Sequence, residues 1–480
     1  MTEKYQAVIG LEVHVELATK SKIFCSCSTG FGAPPNTNIC PTCMGLPGTL
    51  PTLNKRAVEY AIAAGLATGC SIARVTRFDR KNYFYPDLPK AYQISQLELP
   101  LCSGGEIEIS CGGNKKKIAI TRIHLEEDAG KLIHDKERGT MIDYNRCGVP
   151  LVEIVSEPSI SSSTEARAYL NELRTVLLYT GISDCRMDRG SMRCDVNISV
   201  KRRGDAAMGV RTEIKNVNSV AFVAKAIDYE IERQIAIIDS GGEIFPETRR
   251  FSESDGKTYL MRKKESAADY RFFPEPDLPS FEISEEMIDG VRDKLPVCPA
   301  QRRKTYALEY GLSATDAEII TSRIEIADFF EQVAAMTAYP KVAANILLTE
   351  LMSELTERIN SGCECVLTVS AAALAEIAEL YATEVINSST VKRLISLVKR
   401  GDASASELVK KLDLGQINDR EFLAKILSEV DAETPKLIED YKNGKLAAKK
   451  AVVGKVMAKT SGRANPVIVN ELFEEYITAP

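Results

Sequence analysis

The chain has 480 residues, 44% of them hydrophobic and 27% charged, which indicates about two to four folded domains and excludes disorder throughout. Its 61 basic and 67 acidic residues give a net charge of −6, so any nucleic-acid site must be a local basic patch. There is no apolar run of 18 residues and no signal-like leader, and the 13 cysteines are an odd number. We therefore expect a cytoplasmic protein, without a membrane span, that carries thiols or a metal site rather than disulfides.

The pattern of predicted elements divides the chain into three domains. Residues 1–294 hold short alternating segments and turn-rich stretches, which are typical of a β-rich antiparallel domain. From residue 295 the sequence is rich in Ala, Leu, Glu and Lys at helical spacing, as in residues 371–380. A break near residues 401–404 separates an all-helical middle domain, 295–402, from a small helical tail domain, 403–480. The predicted fold class is α+β.

Four segments of the first domain alternate strictly between polar and apolar residues. Each therefore places its polar side chains on one side of a strand. A half-solvated antiparallel sheet explains any one of these segments. The polar sets, in chain order, are Glu12, His14 and Glu16; Arg122, His124 and Glu126; Arg193, Asp195, Asn197 and Ser199; and Arg211, Glu213 and Lys215.

Four cysteines lie in two close pairs near the start of the chain. Cys25 and Cys27 are followed, after twelve residues, by Cys40 and Cys43. Four thiolates at this spacing favour a structural tetrahedral zinc site within residues 25–43. A redox pair and plain thiols are the alternatives.

Glu153 shares a strand face with Leu151 and Val155, which indicates a partly buried carboxylate that needs a compensating cation. If the fold brings Glu12, His14, Glu127 and Glu153 together, a Mg²⁺ ion would satisfy them, because Mg²⁺ prefers hard oxygen ligands. Ordinary surface ion pairs are the alternative explanation.

Two helices are predicted within the first domain. One is capped by Thr164 and ends at Gly181. The other spans residues 219–240 with an apolar stripe of Val223, Ile227, Ile231, Ile235 and Ile238.

The sequence carries neither a P-loop nor a dinucleotide-binding glycine motif. A phosphate site could form where residues 215–219 enter the second helix, because a helix N-terminus attracts anions. The alternative is that Asn218 or Ser219 only caps that helix.

The predicted tail contains a run of basic residues without acids between residues 441 and 465. This run favours RNA or another polyanion as a partner, and a solvated helix face is the alternative. The basic residues are Lys442, Lys445, Lys449, Lys450, Lys455, Lys459 and Arg463.

Several long motifs resemble those of the B subunits of the tRNA-dependent amidotransferases, the GatB family. They are residues 9–17, 78–96, 124–131, 143–158 and 190–197, with further matches at 440–445 and 462–466. The resemblance implies a β-rich cradle domain, a helical domain and a helical tail that holds tRNA.

The resemblance also implies an activity. With ATP and Mg²⁺, such a protein phosphorylates the side chain of Glu on misacylated tRNA(Gln), or of Asp on tRNA(Asn), and ammonia then displaces the phosphate. The ammonia comes from an amidase-type A subunit, and a small C subunit completes a heterotrimer. A non-catalytic protein that only binds aminoacyl-tRNA and scaffolds the glutaminase is the alternative hypothesis.

Site residues follow from the resemblance by position. It implies metal ligands at Glu12, His14, Glu127 and Glu153, and the four cysteines match the zinc-bearing members of the family. Lys81, Lys90 and Glu127 would line the ammonia path, and Asp195 would lie near the phosphates. From charge and position we add four phosphate or nucleotide contacts: Arg146, Arg193, Lys215 and Asn216.

Overall fold

A computed structural model describes residues 4–135, 137–263, 270–361, 365–399 and 404–478, and only the backbone of Asn216, Lys263 and Asn360. The chain forms two units, Met1–Cys298 and Pro299–Pro480. The sequence predicts a domain end at residue 294, four residues before the end of the first unit. The predicted boundary between residues 402 and 403 lies outside the described residues, so the three-domain division stays a prediction.

The first unit is rich in strands and also carries helices. In chain order the strands are β1 (Tyr5–Glu16), β2 (Ser71–Ile72), β3 (Val75–Thr76), β4 (Asp79–Asn82), β5 (Tyr92–Ser95), β6 (Cys102–Ser103), β7 (Glu106–Cys111), β8 (Asn114–Glu127), β9 (Lys131–Asp135), β10 (Gly139–Asp143), β11 (Pro150–Ser156), β12 (Met192–Arg202), β13 (Thr212–Val217), β14 (Glu247–Ser252), β15 (Lys257–Lys263), β16 (Phe273–Pro274) and β17 (Phe281–Glu282). The helices are α1 (Lys55–Ala67), α2 (Ser163–Thr180), α3 (Val220–Asp239) and α4 (Glu285–Arg292), with a 3-10 turn at Met187–Arg189.

Within the described ranges, ten strands form one sheet in the order β15-β14-β13-β12-β1-β11-β8-β6-β2, with β7 paired to β8. Its pairs are antiparallel except β13 and β14, which run parallel. Strands joined by hairpins and short connections favour antiparallel pairing, whereas a helical crossover precedes a parallel strand. Here α3 supplies that crossover between β13 and β14. The predicted α+β class is confirmed.

The apolar face of this sheet is covered by helices. Leu11, Val13 and Val15 of β1 are almost fully buried, and they share one core with residues of α1, α2 and α3. Because successive residues of a strand point to opposite faces, burial of this set leaves the polar set of β1 on the other face.

The predicted helices are present, with two corrections. The cap of α2 is Ser162 rather than Thr164, since Ser162 Oγ accepts a hydrogen bond from Glu165 N at 3.1 Å. Gly181 ends α2 in the left-handed conformation, as predicted. The apolar stripe predicted for α3 is buried only at its start, at Val223 and Ile227, whereas Ile231, Ile235 and Ile238 are half-buried.

The second unit is helical and holds two separate apolar cores. One core spans Tyr306 to Leu414 and the other spans Leu423 to Phe473. No helix among the described residues has the length and apolarity to cross a membrane. The helices are α5 (Pro299–Glu309), α6 (Ala314–Ile320), α7 (Ile324–Ala334), α8 (Pro340–Ile346), α9 (Met352–Asn360), α10 (Ala371–Ala382), α11 (Ser388–Val398), α12 (Ala405–Lys411), α13 (Arg420–Glu433), α14 (Pro435–Lys442), α15 (Ala447–Lys459) and α16 (Pro466–Thr478), with a π-helical turn at Leu347–Leu351.

Candidate active site and metal centres

Polar side chains from five neighbouring strands meet on the face of the sheet opposite to the helices α1, α2 and α3. We call this the open face of the sheet. On β1, Glu12 lies opposite Asp195 of β12, and His14 lies opposite Glu153 of β11. Glu153 in turn lies opposite His124 of β8. Directly opposed residues in antiparallel strands point to the same face, so the pairing register carries these groups together.

The first metal-ligand group consists of His14, Glu126 and Glu153. His14 Nε2 lies 3.5 Å from Glu126 Oε1 and 3.3 Å from Glu153 Oε2. The three ligand atoms lie within 4.8 Å of one another, and both carboxylates are buried. One imidazole and two carboxylates converge closely enough to hold a single ion.

A second imidazole borders this group. His124 Nε2 is 3.6 Å from Glu153 Oε2 and 3.9 Å from Glu126 Oε2. Its Nδ1 is buried and has no hydrogen-bond partner among the described residues. Burial, above all, lowers the pKa of His124 to about 4, so the ring is neutral at physiological pH.

The second group lies beside the first and consists of Glu12, Asp195 and Glu213, whose ligand oxygens also fall within 4.8 Å of one another. Asn197 Nδ2 donates to Glu12 Oε1 at 2.7 Å. Lys215 Nζ lies 2.5 Å from Asp195 Oδ2 and 3.0 Å from Glu213 Oε1. An ammonium group therefore already occupies the position between these two carboxylates.

Electrostatics on this face favour a cation. Burial raises the pKa of Glu12, and the charges of Glu153 and Asp195 raise it further. Burial opposes a charge on His14, but its hydrogen bond to Glu153 and the nearby carboxylates outweigh burial and raise its pKa to about 9. The proton on His14 is thus held by these carboxylates, and a metal ion at this group would have to replace it, because only a neutral imidazole coordinates a metal.

The donor atoms fit a hard divalent ion. Carboxylate oxygens dominate both groups, and Mg²⁺ takes oxygen ligands and tolerates few protein ligands beside its waters. Glu126 and Glu153, with His14, would hold one such ion. Glu12, with Asp195 and Glu213, would hold another only if Lys215 moved away.

The structure does not bring Glu127 into either group. Both oxygens of Glu127 face Lys90 Nζ, at 2.5 and 2.6 Å, and Oε1 also accepts from Ile94 N at 2.9 Å. Glu127 follows Glu126 on β8 and therefore points to the opposite side of the strand. The four residues predicted to surround one ion are thus divided among three places: His14 with Glu153, Glu12 with Asp195, and Glu127 with Lys90.

Lys81 lies at the edge of the polar face between two aromatic rings. Its Nζ is 5.1 Å from the ring centre of Tyr270 and 5.8 Å from that of Tyr83. Among the residues that the structure describes, no carboxylate lies within ion-pair distance of this half-buried ammonium. Cation–π attraction accounts for its position.

Two of the predicted phosphate contacts converge on one buried acid. Asp128 Oδ2 lies 2.7 Å from Arg193 Nη2 and 3.4 Å from Arg146 Nε. Burial alone would raise the pKa of Asp128, but the two guanidinium groups outweigh it and lower the pKa. Arg146 also donates to Ala129 O and Gly130 O.

The other two predicted phosphate contacts are Lys215 and Asn216. Lys215 pairs with Asp195 and Glu213, and the side chain of Asn216 lies outside the described residues.

The entry to α3 shows a capped helix end. Ser219 Oγ accepts a hydrogen bond from Phe222 N at 3.1 Å. Asn218 Nδ2 donates to Glu253 Oε1 at 3.0 Å. Ser219 thus caps this helix, as one of the two alternatives at residues 215–219 predicts.

The four cysteines of residues 25–43 come together. The sulfur atoms of Cys25, Cys27, Cys40 and Cys43 lie within 4.8 Å of one another, and none is in a disulfide. Cys43 is buried and the other three are half-buried. Four soft ligands at this separation fit a tetrahedral zinc ion that has no open coordination position.

Four of the seven basic residues of this run are paired with acids of the same predicted tail. Lys449 Nζ is 2.5 Å from Glu474, Lys459 Nζ is 2.6 Å from Glu433, Lys445 Nζ is 2.9 Å from Asp440, and Arg463 Nη1 is 2.6 Å from Asp413. Three basic residues are exposed and have no ion pair within the described part of the tail: Lys442, Lys450 and Lys455.

Three residues in or beside these groups are not among the predicted site residues: Glu126, His124 and Glu213. The signal was present in the alternation, since Glu126 and His124 share a side with Arg122, and Glu213 shares a side with Lys215. The alternation does not show the strand-pairing register, which places these three residues near the polar side chains of β1.

The fold and the site together define an α+β protein whose mostly antiparallel sheet presents clustered carboxylates and imidazoles on its open face. Comparison with known proteins identifies the family. The GatB/GatE catalytic domain matches residues 7–289, and the GatB domain matches residues 328–477. The chain therefore belongs to the GatB family, which confirms the predicted resemblance.

Curated relatives are similar over nearly their whole length. The B subunit of the aspartyl/glutamyl-tRNA(Asn/Gln) amidotransferase of Caldicellulosiruptor saccharolyticus is 50% identical over 474 residues, which cover 98% of this chain and 99% of that protein. The relative of the same name from Thermoanaerobacter pseudethanolicus is 49% identical over 478 residues, which cover 99% of this chain and 100% of that protein.

Proposed function

We propose that this chain is the component of a tRNA-dependent amidotransferase that activates and amidates an amino acid attached to tRNA. The relatives that cover its full length are named as the B subunit of an aspartyl/glutamyl-tRNA(Asn/Gln) amidotransferase. The proposed substrates are Glu on misacylated tRNA(Gln), Asp on misacylated tRNA(Asn), or both. ATP supplies the phosphoryl group.

The proposed chemistry begins with phosphorylation of the side-chain carboxylate. A free carboxylate resists attack by ammonia because oxide would have to leave, whereas an acyl phosphate loses phosphate. Phosphoryl transfer depends on positioning and on positive charge around the transferred group rather than on a protein nucleophile. The bound Mg²⁺ would offset the negative charge of the phosphates.

The open face of the sheet offers the side chains that this step requires. Glu126 and Glu153, with His14, would hold the metal ion. Lys81 forms no close ion pair among the described residues, although its charge acts on Glu126 and Glu153, so its ammonium can also approach an anionic substrate group. Arg193 and Arg146 are fixed on Asp128, which keeps two guanidinium groups beside the same site.

The second step is the attack of ammonia on the activated carboxyl group. We assign Lys81, Lys90 and Glu127 to the path of ammonia. The ion pair of Lys90 with Glu127 supports this as a polar element inside a small cavity. Glu127 is also the proposed acceptor of the proton that ammonium or the attacking ammonia loses. Full transamidation by a Glu127→Gln variant with free ammonium would remove that proton-acceptor role.

The chain carries no amidase signature, so ammonia must come from elsewhere. We propose an amidase-type A subunit as its source, a small C subunit as the third component of the complex, and the cytoplasm as the place of action. The Cys25–Cys43 group is the proposed site of a structural zinc ion. The basic tail is the proposed contact with tRNA.

The observation that carries this proposal is the convergence of His14, Glu126 and Glu153 on one face of the sheet. The test uses the assembled complex with ATP and misacylated tRNA, and it measures ADP released in a tRNA-dependent manner. We expect release by the parent complex and by Glu137→Gln, an exposed control on the turn between β9 and β10, and a loss of at least about tenfold in Glu153→Gln.

A non-catalytic scaffold would give the opposite result. Such a chain would bind misacylated tRNA without tRNA-dependent ADP release, and Glu153→Gln would behave like Glu137→Gln. That outcome would leave tRNA binding as the function of this chain.

A further inference from the structure

A lysine is fully buried beside the four cysteines. Lys22 has no exposed surface, and its Nζ lies 3.6 Å from Cys43 Sγ and 3.3 Å from Tyr144 O. No carboxylate lies within ion-pair distance of it in the described ranges. A buried ammonium is strongly unfavourable unless an anion accompanies it.

Backbone contacts fix Lys22 in this position. Its N–H donates to Cys27 O at 3.0 Å, and Ile23 N donates to Gly148 O at 2.9 Å. Asn54 Nδ2 donates to Lys22 O at 3.3 Å. These three hydrogen bonds fix the backbone at residues 22 and 23, from which the Lys22 side chain reaches Cys43.

A second lysine, Lys90, lines the same small cavity and is half-buried, and the partners of the two lysines differ. Lys90, Glu127, Lys22 and Cys43 all line this cavity of about 70 Å³. Lys90 is paired with Glu127 through both carboxylate oxygens. Lys22 is left with a carbonyl oxygen and a sulfur, and only the sulfur can carry a negative charge.

A neutral thiol would not offset the charge of Lys22, but a metal-bound thiolate would. Zinc with four thiolates carries a net charge of −2, so such a centre gains from a nearby cation. We infer that Lys22 is the buried counter-cation of a metal-bound cysteine centre and positions Cys43 by donating a hydrogen bond to its sulfur. This inference rests on the zinc site proposed above.

The first test compares two variants of the full-length, zinc-loaded chain. Lys22→Met removes the charge and keeps most of the side-chain length, and Lys20→Met is the control at an exposed lysine two residues away. We expect zinc to be released to a chelator about 10- to 100-fold faster from Lys22→Met than from Lys20→Met.

Cobalt in place of zinc gives a readout that a purely structural role would not move. Loss of a hydrogen bond to a coordinating sulfur makes that sulfur more electron-rich, so the sulfur-to-cobalt charge-transfer band of Lys22→Met should move to longer wavelength. Equal release rates and equal spectra in the two variants would overturn the inference while leaving the zinc site intact.

A second measurement needs no variant, which covers the case that Lys22→Met does not fold. The unmodified protein is treated with an amine-acylating reagent before and after zinc removal, and labelling of Lys22 is compared with that of Lys20 by peptide mass spectrometry. We expect Lys22 to become labelled only after zinc removal. Unchanged labelling of Lys22 would overturn the role of Lys22, and a protein that holds no zinc would overturn both the inference and the zinc site.

Discussion

His14 of β1 and Glu153 of β11 face each other across two antiparallel strands, and His14 Nε2 is 3.3 Å from Glu153 Oε2. The residue that completes their group is Glu126 of β8, not the adjacent Glu127. The two glutamates differ by one position on a strand, and that single step puts them on opposite faces.

This difference predicts that Glu126 and Glu127 respond differently to substitution. Glu126→Gln should weaken Mn²⁺ binding at least about tenfold, because it removes a buried carboxylate ligand beside His14 and Glu153. Glu127→Gln should leave Mn²⁺ affinity close to that of the parent, since Glu127 is engaged with Lys90. The measurement is Mn²⁺ titration by electron paramagnetic resonance, with Glu137→Gln as the exposed control. If only Glu127→Gln weakened Mn²⁺ binding, Glu127 rather than Glu126 would be the metal ligand, as the sequence predicts.

The strands themselves could be predicted, because alternation of polar and apolar residues reports which side chains share a face. The apolar set Leu11, Val13 and Val15 is buried and its polar neighbours face the site, as the alternation indicates. The pairing register is a different kind of information. Whether Glu12 lies opposite Asp195 or two residues away depends on long-range packing, and no local pattern encodes it.

Helix α3 shows the same limit within a helix. Its spacing predicts a continuous apolar stripe through Ile231, Ile235 and Ile238, yet the fully buried positions of its second half are Glu230 and Gln234. Hydrophobicity alone would place both outside. They are buried because charged and polar partners on the sheet bind them.

Glu230 should therefore contribute strongly to stability. Its carboxylate accepts from Arg233 Nη2 at 2.6 Å and from Thr258 Oγ1 at 3.0 Å, and Arg249 Nε lies 3.6 Å away. Glu230→Ala removes one of the two buried carboxylates that these guanidinium groups share and leaves them only Glu247. The variant should therefore destabilise the first unit by about 2–3 kcal/mol. Hydrogen exchange of peptides from α3 and β14 measures the effect.

The control for Glu230 lies on the same helix. Glu232 is exposed, so Glu232→Ala should change the exchange of those peptides by about 0.5 kcal/mol or less. Similar effects of Glu230→Ala and Glu232→Ala would show that the buried network contributes little.

Two helical glycines should respond with opposite sign to the same substitution. A methyl group at Gly65 of α1 would lie 2.5 Å from Cys102 Sγ and 2.8 Å from Ile72 Cδ1 inside the core, whereas one at Gly290 of α4 would meet no atom within 4 Å. Alanine is the better helix former by about 1 kcal/mol. Gly290→Ala should therefore stabilise by up to that amount.

At Gly65 the packing conflict outweighs helix propensity, and Gly65→Ala should destabilise by about 1–3 kcal/mol. Urea unfolding followed by circular dichroism compares both variants with the parent. A stabilising Gly65→Ala would mean that Cys102 and Ile72 move aside at little cost.

The run of basic residues in the tail could be located from the sequence. Which of its charges are paired with acids in the folded chain could not. Lys449 and Lys459 approach Glu474 and Glu433 to 2.5 and 2.6 Å, and these acids come from other helices of the same unit. The local run of positive charge is therefore partly neutralised by folding. The ammonium groups that keep their charge exposed are those of Lys442, Lys450 and Lys455, which have no ion pair in the described tail.

This pairing predicts which lysines contribute to RNA affinity. Replacing Lys450 and Lys455 together by Gln should weaken tRNA binding and reduce the slope of log affinity against log salt by about two units, because each phosphate contact contributes about 0.9. Replacing Lys449 and Lys459 together should change the slope by much less, since Glu474 and Glu433 already screen them. Filter binding of tRNA by the full chain over a range of salt concentrations measures both slopes. Equal reductions in the two double variants would mean that the ion pairs open when RNA binds.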